Sequence, residues 1–191
     1  HYYLVDGTPV MGDVDLNNAG STGNTPTNWA TIAVGGLARG GRGYYALNVT
    51  STTATDEATA TAKALWEFPR SVTNTAQRNS AIANMGYSYG KPIVVKTTAA
   101  GWVVLVTSGY NNGTNPGDSG GDGLGHLYVL NASTGDLIAD LTTAGCHATP
   151  QSNPCGLASV SAYVENTDTN NLVELAYGGD LYGNLYRFDL R

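Results

Sequence analysis

The sequence predicts an all-β chain: a partial β-propeller of about three four-stranded antiparallel blades, the last one incomplete. Three observations carry this reading. The first is composition, with 25 Gly, 12 Tyr and only 13% charged residues. Gly and Thr weaken helices but suit strands joined by tight turns. The second is a strand and turn pattern that recurs three times, which is the signature of a repeat architecture. The third is that the third copy of the pattern ends at Arg191, before its outermost strand can form.

The first unit opens on the short strand Thr8-Pro-Val-Met-Gly-Asp-Val. It continues with Trp29-Ala-Thr-Ile-Ala-Val-Gly-Gly, Gly43-Tyr-Tyr-Ala-Leu-Asn-Val and the outer strand Ala64-Leu-Trp-Glu-Phe. The second repeats this order as Gly90-Lys-Pro-Ile-Val-Val-Lys, Trp102-Val-Val-Leu-Val-Thr-Ser-Gly, Gly125-His-Leu-Tyr-Val-Leu-Asn and Ala132-Ser-Thr-Gly-Asp-Leu-Ile-Ala-Asp-Leu. The third gives Leu157-Ala-Ser-Val-Ser-Ala-Tyr-Val, Leu172-Val-Glu-Leu-Ala-Tyr-Gly-Gly and Gly183-Asn-Leu-Tyr-Arg-Phe-Asp-Leu. Four strands per unit is the blade of a propeller. The blades are expected at about 8–69, 86–141 and 157–191 of a single propeller segment.

The equivalent glycines Gly43, Gly125 and Gly183 lie 82 and 58 residues apart, more than the roughly 40–50 residues of a compact blade. Insertions account for the excess: 51–63 with 69–85, and 111–124. Such insertions fall in loops. Trp29, Trp66, Trp102 and Tyr128 are expected to pack in the core or between blades.

A propeller typically closes with 4–8 blades. Three incomplete blades leave open edges, so the expected partners are the remaining blades of a longer protein or copies of the same chain. The opening His1-Tyr2-Tyr3 reads as processed or excised.

A net charge of −6 provides no basic stripe for nucleic acid. The sequence has no apolar run long enough for membrane insertion as a helix. Cys146 and Cys155 bracket a short polar loop and read as a disulfide formed in an oxidising, extracytoplasmic compartment. Two unrelated free thiols are the other reading of the pair.

Oxygen-bearing side chains are spaced along Asn166-Thr-Asp168-Thr-Asn170-Asn-Leu172-Val-Glu174. Asn166, Asp168, Asn170 and Glu174, with the Leu172 carbonyl, match the front of a Ca²⁺ loop, because alternate residues of a tight loop turn the same way. Only Asp168 and Glu174 bring charge, which predicts weak binding. A metal-free hairpin held by Asx turns is the competing reading. Asp13 with Asp15, and Asp118 with Asp122, are poorer acidic candidates.

No catalytic constellation emerges, and the chain reads as a non-enzyme. The three histidines are scattered, and Gly117-Asp-Ser119-Gly lacks a placed His and Asp partner.

Several phrases, taken together, are more specific than a generic propeller: 34–50 (Val-Gly-Gly-Leu-Ala-Arg-Gly-Gly-Arg-Gly-Tyr-Tyr-Ala-Leu-Asn-Val-Thr), Leu65-Trp-Glu-Phe, Gly86-Tyr-Ser-Tyr-Gly-Lys-Pro, Thr107-Ser-Gly-Tyr-Asn-Asn and 177–190 (Tyr-Gly-Gly-Asp-Leu-Tyr-Gly-Asn-Leu-Tyr-Arg-Phe-Asp-Leu). In this combination the chain resembles, over nearly its whole length, the C-terminal propeller of the PilC/PilY family of type IV pilus biogenesis factors and tip adhesins. The resemblance implies roles in pilus assembly, retraction control and surface adhesion. It also implies minor pilins or tip components as partners, a host or abiotic surface receptor, a location at the pilus tip or outer membrane, and a regulatory Ca²⁺ loop at the 166–174 position. The alternatives are a fragment of a quinoprotein-like propeller oxidoreductase and a self-assembling structural protein.

Overall fold

The structure, a computed structural model, describes residues 4–25, 27–165, 167–168 and 170–191. Among the described residues, eleven strands form three antiparallel sheets. The first contains β1 (Val10–Asp15), β2 (Trp29–Gly36), β3 (Tyr44–Asn48) and β4 (Ala64–Phe68), in that order. The second contains β5 (Ile93–Thr97), β6 (Gly101–Thr107), β7 (His126–Asn131) and β8 (Leu137–Thr142). The third has three strands, β9 (Val160–Tyr163), β10 (Leu175–Gly179) and β11 (Leu185–Asp189).

The sheets stack face to face, and the pattern of side chains shows how. Along β6 and β7, Val104, Val106, Tyr128 and Leu130 share a core with Val14, Ile32, Val34, Ala46, Trp66 and Phe68 of the first sheet. The alternate residues Val103, Leu105, Leu127 and Val129 share the other core with Ala176 and Phe188 of the third sheet. Successive residues of a strand point to opposite faces. A middle sheet buried on both faces therefore needs apolar residues at consecutive positions, which is why the runs Val103–Val106 and Leu127–Leu130 do not alternate with polar residues.

At the inner edge the sheets approach closely. A methyl group on Gly12 of β1 would lie 3.0 Å from Val94 of β5, so glycine there lets the two first strands meet. Farther out, Trp66 of β4 is 4% exposed. It packs against Gly135, whose left-handed φ of 70° sets the turn into β8.

Two helices interrupt the expected loops. A single turn, α1 (Glu57–Thr61), is capped by Asp56, and α2 (Thr75–Asn84) is capped by Asn74, whose Oδ1 accepts from the backbone of Ala76 and Gln77 at 3.0 and 3.1 Å. Asn74-Thr-Ala-Gln77 ahead of an Ala-containing run is a helix start signal. α2 fills the first core with Ala81, beside Val72 and Met85.

Trp29 packs between blades rather than within a core. It is 59% exposed and meets Trp102 edge-on at 5.8 Å. Its position at the start of β2 explains this: the pairing of β3 with β2 begins only at Ile32, so no neighbouring strand covers the ring on that side.

Candidate functional site

The strand directions divide the loops between two ends. At one end lie the β2–β3, β6–β7 and β10–β11 connections and both links between sheets. At the other lie the β1–β2, β3–β4, β5–β6, β7–β8 and β9–β10 connections.

The 166–174 segment is the β9–β10 connection. Asn166 lies outside the described residues. Asp168 and Asn170 are exposed, and Asn170 Oδ1 accepts the backbone N–H of Leu172 at 3.1 Å, an Asx turn. Leu172 forms a parallel bridge with Lys96 beside β5, and Val173 N donates to the Lys96 carbonyl at 2.8 Å. This pins the return of the loop to the second sheet. The backbone of Glu174 is already in the ladder, donating to Tyr163 and accepting from Leu190.

The Glu174 side chain meets a partner that the sequence spacing did not select. A hydrogen bond with the Glu165 carboxyl raises the Glu174 pKa, and slight desolvation and the Glu165 charge act in the same direction. Two carboxyls held together in this way suit a cation in chemical type, as do the oxygens of Asp168 and Asn170. Asn170 and Leu172 also line a cleft of about 680 Å³ with Lys96 and Trp102. Among the described residues, no group of three or more His, Cys, Asp or Glu side chains gathers as a metal cluster. A cation here would therefore lean on amide and main-chain oxygens.

The remaining acidic candidates serve local structure. Asp13 accepts from Thr31 Oγ1 at 2.6 Å. Asp15, 3% exposed, accepts from the backbone of Asn17 and Asn28 and from Asn18 Nδ2, closing the turn after β1. Its pKa is lowered, chiefly by the Asn28 backbone hydrogen bond. Asp118 and Asp122 both belong to the β6–β7 loop, where Asp118 caps Asn115 and Asn111.

Asp122 reaches back to His126 on β7. His126 is 2% exposed, with Nε2 3.0 Å from Asp122 and Nδ1 2.8 Å from Asp140 on β8. Burial disfavours charge on the ring, but the two carboxylates outweigh it through hydrogen bonds and charge, and the pKa rises to about 9. Both ring nitrogens are engaged, so the histidine locks a loop to two strands rather than offering a free base.

Cys146 and Cys155 form the expected disulfide, with their Cα atoms 6.1 Å apart. The bridge braces the link between the second and third sheets. Cys155 N donates to Gly123, while its carbonyl accepts from Leu181 in the β10–β11 turn.

Two of the distinctive sequence phrases serve a joint between sheets and a turn within one. In Gly86-Tyr-Ser-Tyr, Ser88 inserts into the β2–β3 turn, donating to the Gly43 carbonyl at 2.7 Å and accepting from Leu37 N at 3.0 Å. In Gly179-Asp-Leu-Tyr-Gly-Asn, Asp180 accepts from the backbone of Tyr182 and Asn184 and from the Tyr186 hydroxyl, and so organises the β10–β11 turn.

The same architecture is found in known proteins. Residues 1–191 match the family model described as the PilY1 beta-propeller domain. The chain belongs to the PilY1 β-propeller family.

Members of this family include the type IV pilus biogenesis factor PilY1 homolog of Xylella fastidiosa, 32% identical over the whole chain, of which the chain covers 11% of the length. Type IV pilus biogenesis factor PilY1 of Pseudomonas aeruginosa is 30% identical over the whole chain, which covers 13% of its length. The crystal structure of the P. aeruginosa PilY1 C-terminal domain superposes with a TM-score of 0.69 at 29% identity, over 98% of this chain and 30% of that domain. The chain thus spans roughly an eighth of its curated relatives and under a third of the solved domain. These relatives are named as biogenesis factors and not as enzymes.

Proposed function

We propose that this propeller segment acts without catalysis in an extracytoplasmic type IV pilus factor, at the pilus tip or outer membrane, where it supports pilus assembly, retraction control and surface adhesion. The observation that carries the reading is the match of the whole chain to a propeller named for pilus biogenesis. The braced cystine loop suits an oxidising compartment. Minor pilins or other tip components are the proposed partners, with a host or abiotic surface as the receptor.

Within this reading the β9–β10 loop is a weak Ca²⁺ site formed by Asn166, Asp168, Asn170, the Leu172 carbonyl and Glu174. Bound Ca²⁺ would supply charge neutralisation at a hairpin that already carries the paired carboxyls of Glu165 and Glu174, and so would stiffen the return into β10.

Deleting the parent locus tests the first proposal. Loss of surface pili and of twitching is expected, and a strain with normal pili and motility would refute it. For the loop, calorimetry should show heat of Ca²⁺ binding for the native protein and its loss in Asp168→Ala. The absence of heat from the native protein at millimolar Ca²⁺ would retire the site.

A further inference from the structure

At the end of the sheets opposite the 166–174 loop lies an open pocket of about 610 Å³, lined by Arg39, Tyr87, Tyr89, Tyr110, Pro154 and Leu181, with Asn111 at its rim. Its walls come from all three sheets. Arg39 belongs to the β2–β3 turn, Tyr87 and Tyr89 to the first link, Tyr110 to the β6–β7 loop, Pro154 to the cystine loop and Leu181 to the β10–β11 turn. The volume falls in the range of small-molecule sites, about 300–1,000 Å³.

The pocket is built rather than incidental. Tyr87 and Tyr110 form an antiparallel bridge, with Tyr87 N donating to the Tyr110 carbonyl at 2.7 Å. This contact requires glycine on both sides, because a methyl group on Gly86 would lie 2.0 Å from the Tyr110 carbonyl and one on Gly109 would lie 1.9 Å from the Tyr87 carbonyl. Tyr89 N donates to the Tyr87 carbonyl at 2.9 Å, a tight turn about Ser88 that leaves the serine buried in the β2–β3 turn, Tyr87 half-buried and Tyr89 exposed. Arg42 covers the Tyr87 ring, 4.8 Å from its centroid, and donates to the Asn111 carbonyl at 3.0 Å. Asn111 itself holds a left-handed φ of 63° at the rim, fixed by Asp118. Non-glycine residues in that region persist where the surroundings over-determine them, and they cluster at binding sites.

The wall chemistry selects the ligand class. Backbone donors are engaged internally: Tyr89 N donates to Tyr87, Tyr110 N to Tyr87 and Leu181 N to Cys155. A peptide adding itself as a strand would find these donors already paired. What the pocket offers is ring faces and hydroxyls. Tyr89, 48% exposed, and Tyr110 stand 5.8 Å apart and tilted by 52°, and Arg39 is the one charged side chain among the described lining residues. A pyranose ring has an apolar C–H face and a rim of hydroxyls, matching an aromatic platform with a polar edge. A ring carboxylate matches a guanidinium. We infer that the tyrosine pocket binds an acidic sugar, a carboxylate-bearing pyranose of a surface polysaccharide or glycan. The inference stands apart from the pilus reading and does not depend on it.

Saturation-transfer NMR on the full-length protein tests it, with digalacturonate as the acidic probe, a neutral galactose disaccharide and a short Glu-rich peptide. Transfer to the ring protons of digalacturonate is expected. Tyr89→Ala should lower affinity about tenfold or more, while Tyr89→Phe keeps most of it. Arg39→Gln should lower digalacturonate affinity about tenfold and leave the neutral disaccharide unchanged. Tyr89 is half exposed, so Tyr89→Ala should keep its unfolding midpoint. The proposal is overturned by no transfer to digalacturonate at about 10 mM, by transfer to the peptide alone, or by a folded Tyr89→Ala protein that binds the sugar as well as the native one does. Surface pili should persist in a strain carrying Tyr89→Ala, so failure of the pilus reading shows in the deletion strain and failure of this one in the titration.

Discussion

The indole N–H of Trp66, on the outer strand of the first sheet, donates to the carbonyl of Ala132, at the end of β7 in the second, across 3.0 Å. One hydrogen bond thus ties neighbouring blades where their shared core is about to open to solvent. Gly135 seats against the indole face, and Asp136 in the same turn accepts from both the backbone and the hydroxyl of Thr73. The Asn-Ala-Ser-Thr-Gly turn is therefore half of a clamp as well as a chain reversal.

Removing Trp66 should open the clamp. Trp66→Ala deletes a large buried ring and is expected to cost about 3–5 kcal/mol. Gly135→Ala leaves the composition of the core intact but sets a methyl group 2.6 Å from Trp66 Cγ and puts a side chain at a left-handed φ. Its expected cost is about 1–3 kcal/mol. Urea unfolding measures both, and a Gly135→Ala protein as stable as the native would contradict the clamp.

The fold was legible because the repeat is written in backbone chemistry: Gly43, Gly125 and Gly183 start equivalent strands, and apolar positions run continuously where a sheet is buried on both faces. The disulfide was legible from spacing and composition. The helix at 75–84 was missed because the composition of the whole chain weighed against helices, although the cap at Asn74 was readable. Glu165 beside Glu174, and Asp140 on His126, could not be read from spacing, because antiparallel pairing brings them together across a hairpin, whereas Asp122 lies only four residues before His126 and reaches it because the end of the 111–124 loop folds back on the ring. The tyrosine pocket was hidden for the same reason, since its lining comes from five separate connections. Its one local sign was Tyr87 and Tyr89 flanking a serine in a glycine-rich link, where rings have no strand face to fill.

Two buried tyrosines should respond to the same substitution with opposite sign. The Tyr44 hydroxyl donates toward the carbonyls of Gly90 and Thr107, at 3.2 and 3.1 Å, and burial pushes its pKa up to about 12. The Tyr128 hydroxyl is equally buried but has no hydrogen-bond partner among the described residues. Tyr44→Phe should destabilise by about 1–2 kcal/mol, and Tyr128→Phe should stabilise by up to about 1 kcal/mol by removing an unsatisfied group. Thermal unfolding of the two single variants decides the matter, and a destabilising Tyr128→Phe would show that its hydroxyl is satisfied.

The disulfide closes a short loop, with a sequence separation of 9. Constraining the unfolded chain over that length is worth about 3 kcal/mol. Replacing both cysteines by serine should lower stability by about that amount. It should also loosen the β10–β11 turn, because Leu181 hangs from the Cys155 carbonyl and Asn184 from that of Cys146. Hydrogen exchange at Leu181 is the local readout. Unchanged protection there, together with an unchanged unfolding midpoint, would mean that the bridge braces nothing.

His126 makes stability depend on pH in a definite direction. Its ordinary value is 6.5 and its folded value is about 9, so the folded state binds the proton more tightly than the unfolded state does. The contribution is complete below about pH 6.5 and is lost as pH rises through about 9, with a slope approaching 1.4 kcal/mol per pH unit between them. The total is on the order of 3 kcal/mol. Asp122 acts at the other end. Desolvation raises its pKa, but hydrogen bonding to His126 and the charge on that ring outweigh it and lower the pKa below 3.8. Its contribution is present above that value and disappears as pH falls through the lowered one. Stability should therefore be greatest between about pH 5 and 6.5 and fall from there to pH 9, well below the range where Tyr44 titrates. His126→Gln removes the titrating group and should flatten the alkaline slope while lowering stability at pH 6. A native protein whose urea midpoint stays level from about pH 7 to 9 would mean that the imidazolium is not what fastens the 111–124 loop to β7 and β8.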